Sequence, residues 1–296
     1  MRGTFPRTSE TRTDTIARMH IAPALLALSA IGLLALADDA AKPAAATQAA
    51  APKAWHVLVF SKTAGFRHES IPDGIKAIKE LGESTAGTAC QWTVTASEDA
   101  ALFTKDGLAK YKAIVFLSTT GDILNDEQEK AFEAWVKAGG GFVGIHAAAD
   151  TEHTWPWFGE LVGAWFKTHP TPQKATVVVE DRTHQSTSML PERWERFDEW
   201  YVYKENPRTK KVAPVHVLAN LDEKTYDTGG NPMGDHPIAW CREVEKGRSW
   251  YTGGGHTTES FSEPLFREHI RHGIAWTMRT TIEKVESGSE KTDSPQ

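Results

Sequence analysis

Short apolar runs alternate with amphipathic stretches along the first half of the chain. Trp55–Phe60 (WHVLVF) is apolar almost throughout, as expected of a central parallel strand covered on both faces. Trp92–Ala96 (WTVTA), Ala113–Thr119 (AIVFLST) and Phe142–His146 (FVGIH) read as three more strands. Between them, Ser70–Glu83 places Ile71, Ile75, Ile78 and Leu81 at helical spacing, with Pro72 tolerated in the first turn. Asn125–Gly141 is the clearest helix: Asn125 can cap it, Gln128 stands three residues on, and Gly139 can end it. Strand–helix alternation of this kind predicts crossovers over a parallel sheet.

The second half is less regular. Lys174–Asp181, Pro214–Asn220, Pro237–Val244 and Arg248–Gly254 read as strands, and the short loops between the later ones suggest antiparallel additions at one side of the sheet. Glu263–Met278 closes the pattern as a helix with Leu265, Ile270, Ile274 and Met278 on roughly one face. The prediction is one α/β domain over residues 54–280, with a mostly parallel sheet.

Open parallel sheets bind ligands at the carboxyl ends of their strands. His68 follows the first strand, His146 ends the fourth, and His256 follows the late strand Arg248–Gly254. Three imidazoles at one expected sheet edge make a candidate catalytic or metal-binding centre, since imidazole serves as base, acid or ligand near neutral pH. Taken singly, each could equally be a histidine satisfied by a nearby backbone group.

The ends of the chain change the picture. Arg2, Arg7, Arg12 and Arg18 precede an apolar run, Ile21–Leu36, and Ala35-Leu36-Ala37 offers small residues before Asp38. This order predicts a signal peptide over residues 1–37, cleaved after Ala37, and a periplasmic or secreted protein with no stable membrane span afterwards. Residues 38–53, rich in Ala and Pro, read as a linker, and residues 281–296 as a disordered tail. The full chain carries a net charge of −6, and loss of residues 1–37, with four arginines against Glu10 and Asp14, makes it more acidic. An acidic chain without a basic run is a poor nucleic-acid binder. Cys90 and Cys241, the only cysteines, could pair in an exported protein, and without a CxxC motif no thiolate zinc site is expected.

Four motifs remain. Lys62–Ser70 (KTAGFRHES) joins a strand to a helix and offers Arg67 beside His68, but it lacks the glycine–lysine end of a Walker loop. His146–Pro170 holds His146, Asp150, His153 and His169 among Trp155, Trp157 and Trp165. Indole faces suit the apolar faces of sugar rings, so Trp155 and Trp157 are candidates for a pocket rim and Trp165 for packing. In Arg196–Arg208, Asp198 and Glu199 adjoin Trp200 and Tyr201. If that segment is extended the two carboxylates point apart, and only one of them enters the site. Gly247–Phe261 brings Gly253, Gly254 and Gly255, which permit close approach to a ligand, then His256 and Glu259, an imidazole with a carboxylate to orient it. His236 reads as structural.

Taken together, VLVFSKTAGFRHESIPDGI, GFVGIHAAADTEHTWPWFGELVG, DEWYVYKENPR and GRSWYTGGGHTTESF resemble the ThuA-like (trehalose utilisation) family, from about Trp55 to Met278. The resemblance implies a flavodoxin-like, class I glutamine amidotransferase-like three-layer sandwich. In those enzymes a cysteine occupies a strand-to-helix elbow and a late His and Glu follow. Here His146 stands at the elbow, and His256 with Glu259 resembles the late pair, so glutaminase chemistry is not inherited. The implied role is in catabolism of a disaccharide or keto-sugar. Two readings follow: a sugar-active enzyme working by proton transfer or hydrolysis, or a non-catalytic carbohydrate-binding protein. In the enzymatic reading His146, His256, Glu259 and His68 are catalytic, and Arg67, Asp150, His153, Trp155, Trp157, Asp198, Glu199 and Tyr201 contact the sugar. The histidines suit a divalent metal such as zinc and metal-free proton transfer equally well.

Overall fold

The computed structural model describes residues 54–85 and 88–282. The expected signal peptide, linker and most of the tail lie outside them. Strands β1 (Trp55–Phe60), β2 (Trp92–Ser97), β3 (Ala113–Leu117), β5 (Gly141–Ile145), β8 (Gln173–Val179), β9 (Arg193–Asp198), β11 (His216–Leu221), β12 (Pro237–Val244) and β13 (Gly247–Thr252) form one sheet. Its order is β2-β1-β3-β5-β13-β12-β11-β8-β9. The run from β2 to β13 is parallel throughout, and from β13 to β9 every pairing is antiparallel. Two short ladders, β4 (Thr120–Gly121) with β6 (Asp150–Thr151) and β7 (Phe166–Thr168) with β10 (Val202–Tyr203), lie outside it.

Helices cover both faces of the parallel half. On one face α1 (Ile71–Ser84) sets Gly74 against Leu117, and α5 (Pro264–Thr277) sets Gly273 against Trp250. On the other, Phe116 and Phe142 of the sheet meet Phe132 of α3 (Asp126–Lys137) and Phe158 of α4 (Pro156–Val162). A single turn, α2 (Lys105–Leu108), completes the helices. Helix α3 starts as its sequence dictates: Asn125 accepts from the Gln128 amide while the Gln128 side chain accepts from the Asn125 amide.

Strand β9 was not legible in the sequence, because Arg193–Asp198 alternates buried and exposed positions with charged residues on both sets. Cys90 and Cys241 are both buried and free, so the pairing that the sequence leaves open is not formed. The Cys241 thiol lies 3.7 Å from His184 Nε2, and burial pushes its pKa up to about 12. Such a thiol is inert at neutral pH.

Candidate functional site

Because β1, β5 and β13 run parallel within one sheet, the segments leaving them emerge at the same edge. His68, His146 and His256 meet there. The ring centroids of His68 and His146 are 4.8 Å apart, those of His68 and His256 5.2 Å, and those of His146 and His256 5.3 Å. His68 and His146 are buried and His256 is half-buried.

The elbow at His146 is strained and held. Its φ is +51°, a left-handed conformation rare for a residue with a side chain. The His146 carbonyl accepts from the Tyr251 hydroxyl at 2.9 Å. His146 Nδ1 donates to the Gly253 carbonyl at 2.9 Å, which turns Nε2 toward the cluster. Ala147, Ala148 and Ala149 are fully buried under the turn.

His68 is fixed by its loop. Thr120 receives the Ala64 amide on its carbonyl at 2.7 Å and the Gly65 amide on its hydroxyl at 3.2 Å, and that hydroxyl donates to the Phe66 carbonyl. Ser70 donates to the Gly255 carbonyl at 3.0 Å, tying the start of α1 to the glycine loop. Burial and the neighbouring imidazoles of His146 and His256 lower the His68 pKa to about 3, so the ring is neutral at physiological pH.

The carboxylate arrives from the far end of the sheet. The antiparallel half curls back until β9 lies against the β13 loop, where Arg196 leaves no room for a side chain on Gly254. Asp198, fully buried, accepts from the amides of Gly255 (2.8 Å) and His256 (3.0 Å) and from Arg196 Nη1 (2.9 Å). The chain then turns, and Glu199 enters the cluster. Its Oε2 stands 3.4 Å from His146 Nε2 and 3.2 Å from His256 Nδ1, and its Oε1 3.0 Å from His169 Nδ1. Burial opposes ionisation of Glu199, but His146 and His256 outweigh it and hold the carboxyl well below its usual range. The same carboxylate raises the pKa of His256. Of the two adjacent acids, then, Glu199 faces the imidazoles and Asp198 braces the loop that carries one of them.

Tyr201 forms a wall. Its ring lies 4.2 Å from the rings of His146 and Phe166, and its backbone carbonyl accepts from His236 Nε2. Its hydroxyl makes no hydrogen bond among the described residues, and burial with the nearby Glu199 carboxylate raises its pKa well above the ordinary value. His236 is a fully buried structural residue, bonded also to Glu223.

A family model described as trehalose utilisation (ThuA) matches residues 56–277. The chain belongs to the ThuA family. A crystal structure of a ThuA-like protein from Bacteroides uniformis is similar at 26% identity and a TM-score of 0.63, covering 79% of this chain and 95% of that one. A ThuA-like protein from Parabacteroides merdae is similar at 18% identity and a TM-score of 0.62, over 79% of this chain and 93% of that one. No curated protein matches.

Other expected site residues of this ThuA-family chain lie elsewhere. Glu259 is exposed and makes no side-chain hydrogen bond, so the late His–Glu pair is replaced by His256 with Glu199. Arg67 is exposed and pairs with Glu98 at 2.6 Å. Asp150 bonds His153 at 2.8 Å, and the other ring nitrogen of His153 lies 3.0 Å from Lys204 Nζ. Trp155 is 9% exposed and packs on Trp157, Phe158 and Phe132, and Trp157 also meets Phe132. The Gly253–Gly255 run serves close approach, but what approaches is the protein itself, as Arg196 does at Gly254. His169 and Phe66 were not among the expected site residues. His169 stands in the His146–Pro170 motif and carries no site role in the sequence reading. Phe66, 66% exposed and edge-on to His68 at 4.8 Å, gives no sequence signal beyond an aromatic in a βα loop.

Glu152 lies in the same motif and is fully buried, with φ +53°. Its Oε1 accepts from the amides of Ile123 and Leu124, its Oε2 has no partner, and burial raises its pKa to about 7. The folded state therefore binds this proton more tightly than the unfolded chain, and stability falls as pH rises from about 4.5 to about 7. In Glu152→Gln the titration is removed. The variant should match the wild type below pH 4.5 and exceed it by up to about 3 kcal/mol above pH 7. Denaturant unfolding of both proteins at pH 4, 6 and 8 measures the difference, and equal stability at pH 8 would refute it.

Proposed function

We propose that this ThuA-family chain is an exported carbohydrate-active enzyme acting on a disaccharide or a keto-sugar at the His68–His146–Glu199–His256 cluster. The observation that carries the proposal is the convergence of three imidazoles and one carboxylate, with the Tyr201 ring packed against His146. A sugar carbonyl or hydroxyl oxygen placed at the cluster is polarised there. Tyr201, held protonated, supplies a hydrogen bond or proton as charge develops on that oxygen. This suits proton removal beside a carbonyl, and hydrolysis is the other reaction of the same class of site. The strained elbow at His146 supports a glutamine amidotransferase-like sandwich, but acyl transfer to a thiolate is not part of the proposal, because the elbow holds an imidazole.

The test is turnover by wild-type protein of a panel of disaccharides and their ketone-oxidised forms. Turnover of at least one supports the enzyme. Saturable binding of the panel without turnover would replace it with a carbohydrate-binding protein, and neither binding nor turnover would remove the sugar reading. Export is proposed from the apolar run before Ala37, and the expected product recovered from the cell envelope begins at Asp38. Intact-mass measurement of that protein checks it; a mass that includes Ile21–Leu36 contradicts cleavage.

A further inference from the structure

We infer that His68, His146, His256 and Glu199 together bind one divalent first-row metal ion, independently of any sugar. One ligand atom from each of the four lies within 4.8 Å of the others. Three of these atoms are sealed from solvent and have no hydrogen-bond partner: His68 Nδ1, His146 Nε2 and His256 Nδ1. Buried polar nitrogens are almost always satisfied, so three orphans aimed at one point call for a common partner. Glu199 does not satisfy them. It stands 3.4 and 3.2 Å from two of the nitrogens without hydrogen-bond geometry. Those separations are what ligands share around a common ion: at bond lengths of about 2.1 Å, tetrahedral neighbours stand about 3.4 Å apart.

The surrounding residues are arranged as outer partners of a metal site usually are. His146 Nδ1 donates to the Gly253 carbonyl, which fixes the tautomer and aims Nε2 inward. His169 takes Glu199 Oε1, leaving Oε2 for the centre. Asp198 holds the backbone amide of His256. The donor set of imidazoles and a carboxylate, without thiolate, suits zinc, manganese or ferrous iron over a soft ion. Protein ligands from four separate segments also explain why no short ligand-spacing motif marks the site in the sequence.

The experiment uses untagged chain, stripped with a chelator and titrated with zinc, manganese or cobalt(II) salts alone. Calorimetry should give one ion per chain, with a rise in melting temperature. Cobalt(II) should develop visible absorption bands that report nitrogen and oxygen ligation. Glu199→Ala should weaken binding by more than the roughly 10–100-fold that loss of an outer partner costs, and His169→Ala by about that range. Glu199→Gln, close in shape, should alter the cobalt spectrum even if Glu199→Ala folds poorly. Glu259→Gln, an exposed acid outside the cluster, should bind as the wild type does. Absence of stoichiometric binding by the wild type overturns the inference, as does an unchanged affinity and cobalt spectrum in Glu199→Gln. Because no sugar enters the measurement, failure of metal binding and failure of sugar turnover are read separately.

Discussion

Replacing His146 by alanine should reduce sugar turnover at least about 100-fold while the protein still folds, the scale seen when a positioned acid–base or electrostatic group is removed. His146 is central to the cluster: its ring contacts His68, His256 and Tyr201, and its Nε2 faces Glu199. Its contribution to the fold is smaller. The strained φ of +51° is borne by any residue with a Cβ, so alanine inherits the strain. The elbow carbonyl keeps its hydrogen bond from Tyr251. What is lost is the bond to the Gly253 carbonyl and the ring packing on Tyr201. Activity and thermal melting on the same preparations separate the two effects. Full turnover by His146→Ala would remove it from catalysis. A protein that no longer melts cooperatively would make it a structural histidine.

Asp198→Ala should show the opposite balance, a stability loss of about 3–5 kcal/mol. The side chain is fully buried and accepts from three backbone amides, those of Glu199, Gly255 and His256, and from Ser260 Oγ and Arg196 Nη1. Removing it leaves Arg196, itself buried, with Glu263 as its remaining charged partner at 3.0 Å. Breaking a buried ion pair costs about 3–5 kcal/mol; Glu263 offsets part of this, and the three amides left without their acceptor add to it. For a domain of this size that is roughly 10 °C in melting temperature. Asp198→Asn keeps the shape and part of the acceptor capacity and should fall between alanine and the wild type. Because Asp198 carries the loop of His256, the alanine variant should lose turnover as well. A melting temperature within 2–3 °C of wild type, roughly 1 kcal/mol, would show that the brace is dispensable.

By itself, the sequence determined the alternation of elements in the parallel half, since continuous apolar runs and a 3.6-residue spacing leave little choice of partner. It also determined the start of α3, whose capping box is local, and the edge at which His68, His146 and His256 emerge, since parallel strands share a direction. Only the tertiary structure decided which carboxylate joins them. Glu259 stands three residues from His256, yet the turn exposes it, whereas Glu199 is distant in sequence and comes in just after β9 because the antiparallel half of the sheet curls back. The division of labour between Asp198 and Glu199 rests on that curl, with Asp198 bonded to the glycine loop and the next residue directed into the cluster. The indoles of Trp155 and Trp157 went the other way, into contact with Phe132, because apolar area of that size gains more from burial than from a rim position. Local pattern fixes direction and periodicity. Contacts between distant segments depend on how the whole sheet twists and packs, and no short stretch of sequence encodes that.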